Sequence, residues 1–100
     1  MKTFPIHDNQ GRLLAFEINN LFISRRRTIH ILKSIEGVEI TYRRFPFARD
    51  SSDVFCKFLF DGQEYIAMEP WGDSSRYWIG PEPPQHLPLF EKILTAFISH

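Results

Sequence analysis

The segment from Val54 to Glu69 constrains the fold more than any other part of the chain. Two runs rich in aromatic and β-branched residues, 54–60 and 63–68, flank Asp61-Gly62. Asp-Gly is a preferred pair for a two-residue hairpin turn, because both positions take positive φ and their twist matches that of the strands. Such a loop also sets the register. It places Phe60 opposite Gln63, Phe58 opposite Tyr65 and Cys56 opposite Ala67. One face then carries Val54, Cys56, Phe58, Phe60, Tyr65 and Ala67. The other carries Phe55, Lys57, Leu59, Glu64, Ile66 and Met68. Both faces are substantially apolar. Such a hairpin belongs inside a sheet, with a helix over one side and further cover over the other.

The rest of the chain supplies the neighbours. Asp8-Asn9-Gln10-Gly11 separates Phe4-Pro5-Ile6 from the run 13–18 and reads as a hairpin turn. Pro5 cannot donate to a ladder, so the first strand is expected at an edge. In the second run Leu14, Phe16 and Ile18 share a face. Residues 38–43 alternate, with Val38, Ile40 and Tyr42 expected inward. Residues 45–46 end this strand and 48–53 form a polar loop. After a loop at 70–75, Arg76 to Ile79 form the last strand, ended by Gly80-Pro81.

Two stretches read as helices. Residues 20–35 end in helical spacing (Thr28, Leu32, Ile35) before Gly37. Asn20 is the favoured cap, because a start at Ser24 would put Arg25, Arg26 and Arg27 in the first turn, against the helix dipole. A short strand at 21–23 is the alternative. From Pro88 onward, Phe90, Ile93, Leu94 and Phe97 form one apolar stripe. The order is β-β-α-β-β-β-β-α. It implies a single α+β domain over residues 1–100, a mainly antiparallel sheet of five to six strands with both helices packed on it. Strand order does not follow from this pattern.

A core built from 100 residues is thin, and ten Phe, three Tyr and two Trp are large pieces for it. Some should be only half covered, as a partner surface or as an imperfectly closed core. No apolar run approaches the ~18–20 residues that span a bilayer. The polar His7 to Gln10 interrupts any signal-peptide core, and one cysteine allows no internal disulfide. A cytoplasmic location without membrane contact is therefore expected.

Catalytic signatures are missing from this pattern. Cys56 sits mid-strand among aromatic residues, where burial makes a thiol inert. The four histidines (His7, His30, His86, His100) show no short metal spacing. Asp50, Asp53 and Asp73 fall in loops, where Asp ordinarily serves turns. No glycine-rich phosphate loop exists. No cofactor or metal is expected.

The charges sum to zero but do not mix evenly. Residues 25–49 hold seven basic residues against two acidic, a net of +5, and residues 50–100 hold three against eight, a net of −5. The two stretches could neutralise each other within the fold, meet between two copies or two proteins, or bring the arginines to RNA or DNA phosphates. The segment Trp71 to Trp78 is rich in the residue types that anchor interfaces. The leading expectation is a non-catalytic protein-interaction module, binding another protein or a second copy of itself. Arg25, Arg26, Arg27, Trp71, Arg76 and Trp78 would be its contact residues. The alternatives are nucleic-acid binding through the stretch Arg25 to Arg49, and ligand binding or catalysis at the Trp71–Trp78 loop, where Asp73 or His86 would have to reach Trp71 or Arg76.

Overall fold

A computed structural model describes residues 1–21, 23–43, 53–70 and 75–100. These form six strands and two helices in the expected order: β1 (Thr3–His7), β2 (Leu13–Asn19), α1 (Arg25–Lys33), β3 (Val38–Arg43), β4 (Val54–Phe60), β5 (Gln63–Met68), β6 (Arg76–Pro81) and α2 (Phe90–Ile98). The strands make one sheet, β1-β2-β6-β5-β4-β3, antiparallel throughout. Pro5 lies on an edge strand, where its missing N–H breaks no ladder. The β4–β5 hairpin lies inside the sheet.

That hairpin has the register its turn dictates, with Phe60, Phe58 and Cys56 opposite Gln63, Tyr65 and Ala67. Asp61 (φ 53°) and Gly62 (φ 74°) both take the left-handed conformation. The β1–β2 turn is tied by Asp8, whose Oδ1 accepts from the amides of Gln10 (2.8 Å) and Arg12 (2.9 Å).

Both helices contribute to one core on one side of the sheet. Phe16, Phe58, Tyr65, Phe90 and Phe97 are buried in it. The Phe90 ring stacks on Phe16 (5.5 Å) and on Tyr65 (5.3 Å), so the start of α2 is held between β2 and β5. Phe97 meets Phe16 at 5.3 Å one turn pair later. Each such aromatic pair contributes roughly 0.5–1.5 kcal/mol beyond its burial. Phe90, Ile93 and Phe97 are the buried stripe of α2, with Leu94 packed beside them. Neither helix is long and apolar enough to cross a membrane.

Several local expectations are corrected. The cap of α1 is Ser24, whose Oγ accepts from the Arg27 amide at 3.0 Å. Asn20 is committed elsewhere: its Nδ2 donates to Glu69 Oε2 at 2.8 Å. Arg25, although in the first turn, donates to Glu69 Oε1 at 2.6 Å, which offsets its unfavourable place on the dipole. Neither Leu21 nor Ile23 belongs to a strand, and Phe22 lies outside the described residues. In β2 the register skips from Ala15 to Leu13, so Leu13 rather than Leu14 joins the core. In β3 it skips Thr41, so Tyr42 pairs with Lys57 on the side away from the helices. In β4 it skips Phe55, which turns into the core and packs edge-on against Tyr77 at 5.1 Å. Each slip of one residue exchanges the faces of the strand residues beyond it. Strand β6 does not stop at Ile79: Gly80 pairs with Ile66 and Pro81 with Tyr65. Of the loops expected at 48–53 and 70–75, Asp53, Pro70 and Ser75 are described and belong to no strand or helix; the rest, and the strand end expected at 45–46, lie outside the described residues.

Candidate interaction surface

With both helices on one side, no described helix lies on the other face of the sheet. Its residues are fixed by the ladder. Phe4 pairs with Glu17, Glu17 with Trp78 and Trp78 with Met68, which makes one row across four strands. Ile6 pairs with Ala15, and the chain Gly80–Ile66–Lys57–Tyr42 forms the next row. Leu59 lies between Glu64 and Glu39 in the last row. Among the described residues no helix or strand covers this face. The expected further cover over the second face of the hairpin is therefore not supplied by any described element.

The face is instead closed by its own side chains. A Cβ added to Gly80 would lie 2.7 Å from Cη2 of Trp78, 3.1 Å from its Cζ2 and 2.9 Å from Ala15 Cβ. The indole therefore lies along its own strand, over the space that Gly80 leaves free, and forms a flat half-buried plate. Beside this plate's strand, Ile66 retains only 5% exposure. A glycine next to a ring on the same face of a strand is a recurring way of seating an aromatic residue on a sheet.

Charge is distributed at the two ends of the strands. The Arg76 guanidinium lies 3.6 Å from the centre of the Phe4 ring, and Lys2 Nζ lies 5.3 Å from the same centre. Arg76 Nη1 also donates to Glu17 Oε1 at 3.3 Å. Across the sheet, Lys57 Nζ lies 5.9 Å from the centre of the Tyr42 ring. Glu39 and Glu64, both exposed, stand at the opposite end of the strands from Lys2 and Arg76.

Of the six contact residues expected from sequence, the five that are described do not lie on one side of the sheet. Arg76 and Trp78 lie on the helix-free face. Arg25, Arg26 and Arg27 lie on α1, in the helical layer on the other side of the sheet. Arg25 is bound to Glu69 and rests 5.4 Å from the centre of the Phe55 ring. This contact joins the basic stretch to the acidic stretch within one copy. Trp71 lies outside the described residues. Sequence reasoning misses Phe4, Ala15 and Gly80. The one signal for Gly80 is its position two residues after a tryptophan in a strand, and by sequence alone that glycine reads as a terminator.

Other candidate chemistry is accounted for locally. Cys56 is fully buried, and that burial pushes its thiol up to about 12, with Arg43 pulling weakly the other way. His86 Nδ1 lies 3.0 Å from the Leu13 carbonyl and so is engaged with β2. Asp73 and Trp71, its expected neighbours, lie outside the described residues. An open groove of about 360 Å³ runs along β3, lined by Lys33, Val38, Ile40, Thr41, Tyr42 and Arg43, away from Trp78. Among the described residues no three His, Cys, Asp or Glu side chains cluster as metal ligands would. Comparison with family models, with curated proteins and with solved structures returned no match.

Proposed function

We propose that this chain is a non-catalytic protein-interaction module that makes its contact through the helix-free face of the sheet. One observation carries the reading. The interior hairpin strands are apolar on both sides, yet among the described residues the helices cover only one of them, and the other carries half-buried Trp78, Met68, Leu59 and Phe4 around a buried Ile66. Half-buried aromatic and apolar side chains with charged residues around them are the composition of a protein-binding surface. Trp78 and Arg76 belong to the residue types that dominate binding energy. The chain's lone thiol is turned away from this face: Cys56 points into the core and is held protonated, which favours contact over chemistry here.

A photo-cross-linker placed at position 57 on this face is expected to trap a discrete partner species in cell extract. The same group at position 92, on the exposed side of α2, is expected to trap none. Equal, diffuse labelling from both positions would remove the proposal.

A further inference from the structure

We infer that a single strand of nucleic acid binds along the exposed side of α1 and into the groove on β3. This site lies on α1 and at the β3 edge, so it stands or falls apart from the reading of the Trp78 face. The start of α1 is the first sign. Arg25, Arg26 and Arg27 fill its first turn, which holds no acidic residue. Cations oppose the helix dipole there, where an anion is favoured. Glu69 offsets Arg25. Among the described residues, the side chains of Arg26 and Arg27 have no ion-pair partner. Two exposed arginines thus stand where the helix itself favours negative charge.

Alignment is the second sign. The buried residues of α1 are Thr28, Ile29, Ile31 and Leu32. Arg26, His30 and Lys33 are exposed and follow at i, i+4 and i+7, so they form one row on the side away from the core. From Arg26 to Lys33 the helix rises about 10 Å. Three phosphates of one strand occupy the same length, at about 3.4 Å each. Arg26 and Lys33 supply charge, and His30 supplies a ring N–H.

The row runs on into the groove of about 360 Å³ that Lys33 lines together with Val38, Ile40, Thr41, Tyr42 and Arg43. Arg43 is exposed and adds a third cation. Val38, Ile40 and Tyr42 give the groove an apolar and aromatic wall. Its volume is in the range that holds small organic ligands, which leaves room for an unstacked base. A cationic row that ends at an aromatic wall is how single strands are held, phosphates by charge and bases by stacking. An acidic protein segment would use the row and leave the aromatic wall idle. Glu36, the acid nearest to the row in sequence, is exposed and forms no ion pair with Lys33. The segments 44–52 and 71–74 hold Arg44 and Arg49 against Asp50 and Asp73, so they add no net charge of either sign.

Fluorescence anisotropy of a short labelled oligonucleotide, titrated with the full chain, tests this. Single strands of RNA and of DNA are both expected to bind, because phosphates and base faces are common to the two. Three cationic contacts give a slope of log affinity on log salt of about −2. Raising salt from about 50 to about 200 mM should then weaken binding about twentyfold. Arg26→Ala with Lys33→Ala removes two of the three charges and should leave a slope of about −0.7. Tyr42→Leu should weaken binding about tenfold with the slope unchanged, since stacking releases no counterion. Lys92→Ala, on the exposed side of α2, should change neither quantity. Arg26 and Lys33 are exposed, so that pair decides the matter even if Tyr42→Leu unfolds the chain. No binding at about 100 µM chain in low salt, or a slope that the Arg26→Ala, Lys33→Ala pair leaves unreduced, overturns the inference. Two further results overturn it in favour of an acidic protein partner: equal displacement by polyglutamate at matched charge, or a folded Tyr42→Leu chain that binds as wild type does.

Discussion

Replacing Gly80 by alanine isolates the device that seats Trp78 on the sheet. The new methyl would stand 2.7 Å from Trp78 Cη2 and 2.9 Å from Ala15 Cβ. Carbon contacts settle at about 3.5–4.0 Å, so each neighbour must yield by more than half an ångström. The two neighbours differ in how they can yield. The indole can swing away about its side-chain torsions, but Ala15 Cβ is fixed to β2, which is held between β1 and β6. Overpacking of this kind costs about 1–3 kcal/mol. For a domain of this size that lowers Tm by roughly 4–24 °C. Calorimetry gives the loss, and the indole N–H resonance of Trp78 reports the displaced ring. Adding Ala15→Gly to Gly80→Ala removes one of the two clashes and should recover part of the loss. A Gly80→Ala variant with unchanged Tm and an unshifted Trp78 resonance would refute the account of this face.

Buried groups and one shared acceptor give the remaining expectations. Cys56 should not react with a disulfide reagent at neutral pH until the chain is unfolded, and fast stoichiometric labelling of the native protein would contradict its placement. Because burial raises its pKa from 9.0 to about 12, the folded state holds the proton more tightly, so the stability it contributes is complete below pH 9 and is lost as pH rises towards 12. Burial also raises the Tyr65 and Tyr77 phenols, which steepens the same alkaline loss. Glu69→Ala removes the acceptor shared by Asn20 and Arg25, and should destabilise by about 1–2 kcal/mol in urea titration, Arg25 being partly exposed. Glu69→Gln should lose less, since it keeps an acceptor for Asn20.

The legible part of the fold is the part governed by neighbours in sequence. Asp61-Gly62 sets the pairing of β4 with β5 because a two-residue turn leaves no slack. The spacing of Phe90, Ile93 and Phe97 marks the buried stripe of α2 because helical periodicity is local. The aromatic setting of Cys56 identifies it as a core residue for the same reason. Sequence patterns mislead where a distant residue decides. Asn20 does not cap α1 because Glu69, 49 positions away, takes its side chain. Phe55 and Tyr42 change faces because a skipped residue in a ladder depends on the partner strand, and alternation within one strand carries no trace of it.

For the candidate surface the division is similar. The apolar character of both hairpin faces, the zero net charge and the membership of Arg76 and Trp78 were determined by the amino-acid sequence alone, through side-chain period and turn chemistry. Which face the two helices would take, and that Lys2 and Arg76 would gather at Phe4 while Glu39 and Glu64 flank Leu59, was decided only by the tertiary structure. Strand order is what brings those charges together, and it is a matter of pairing between segments far apart in the chain, such as β2 with β6, which no local pattern encodes.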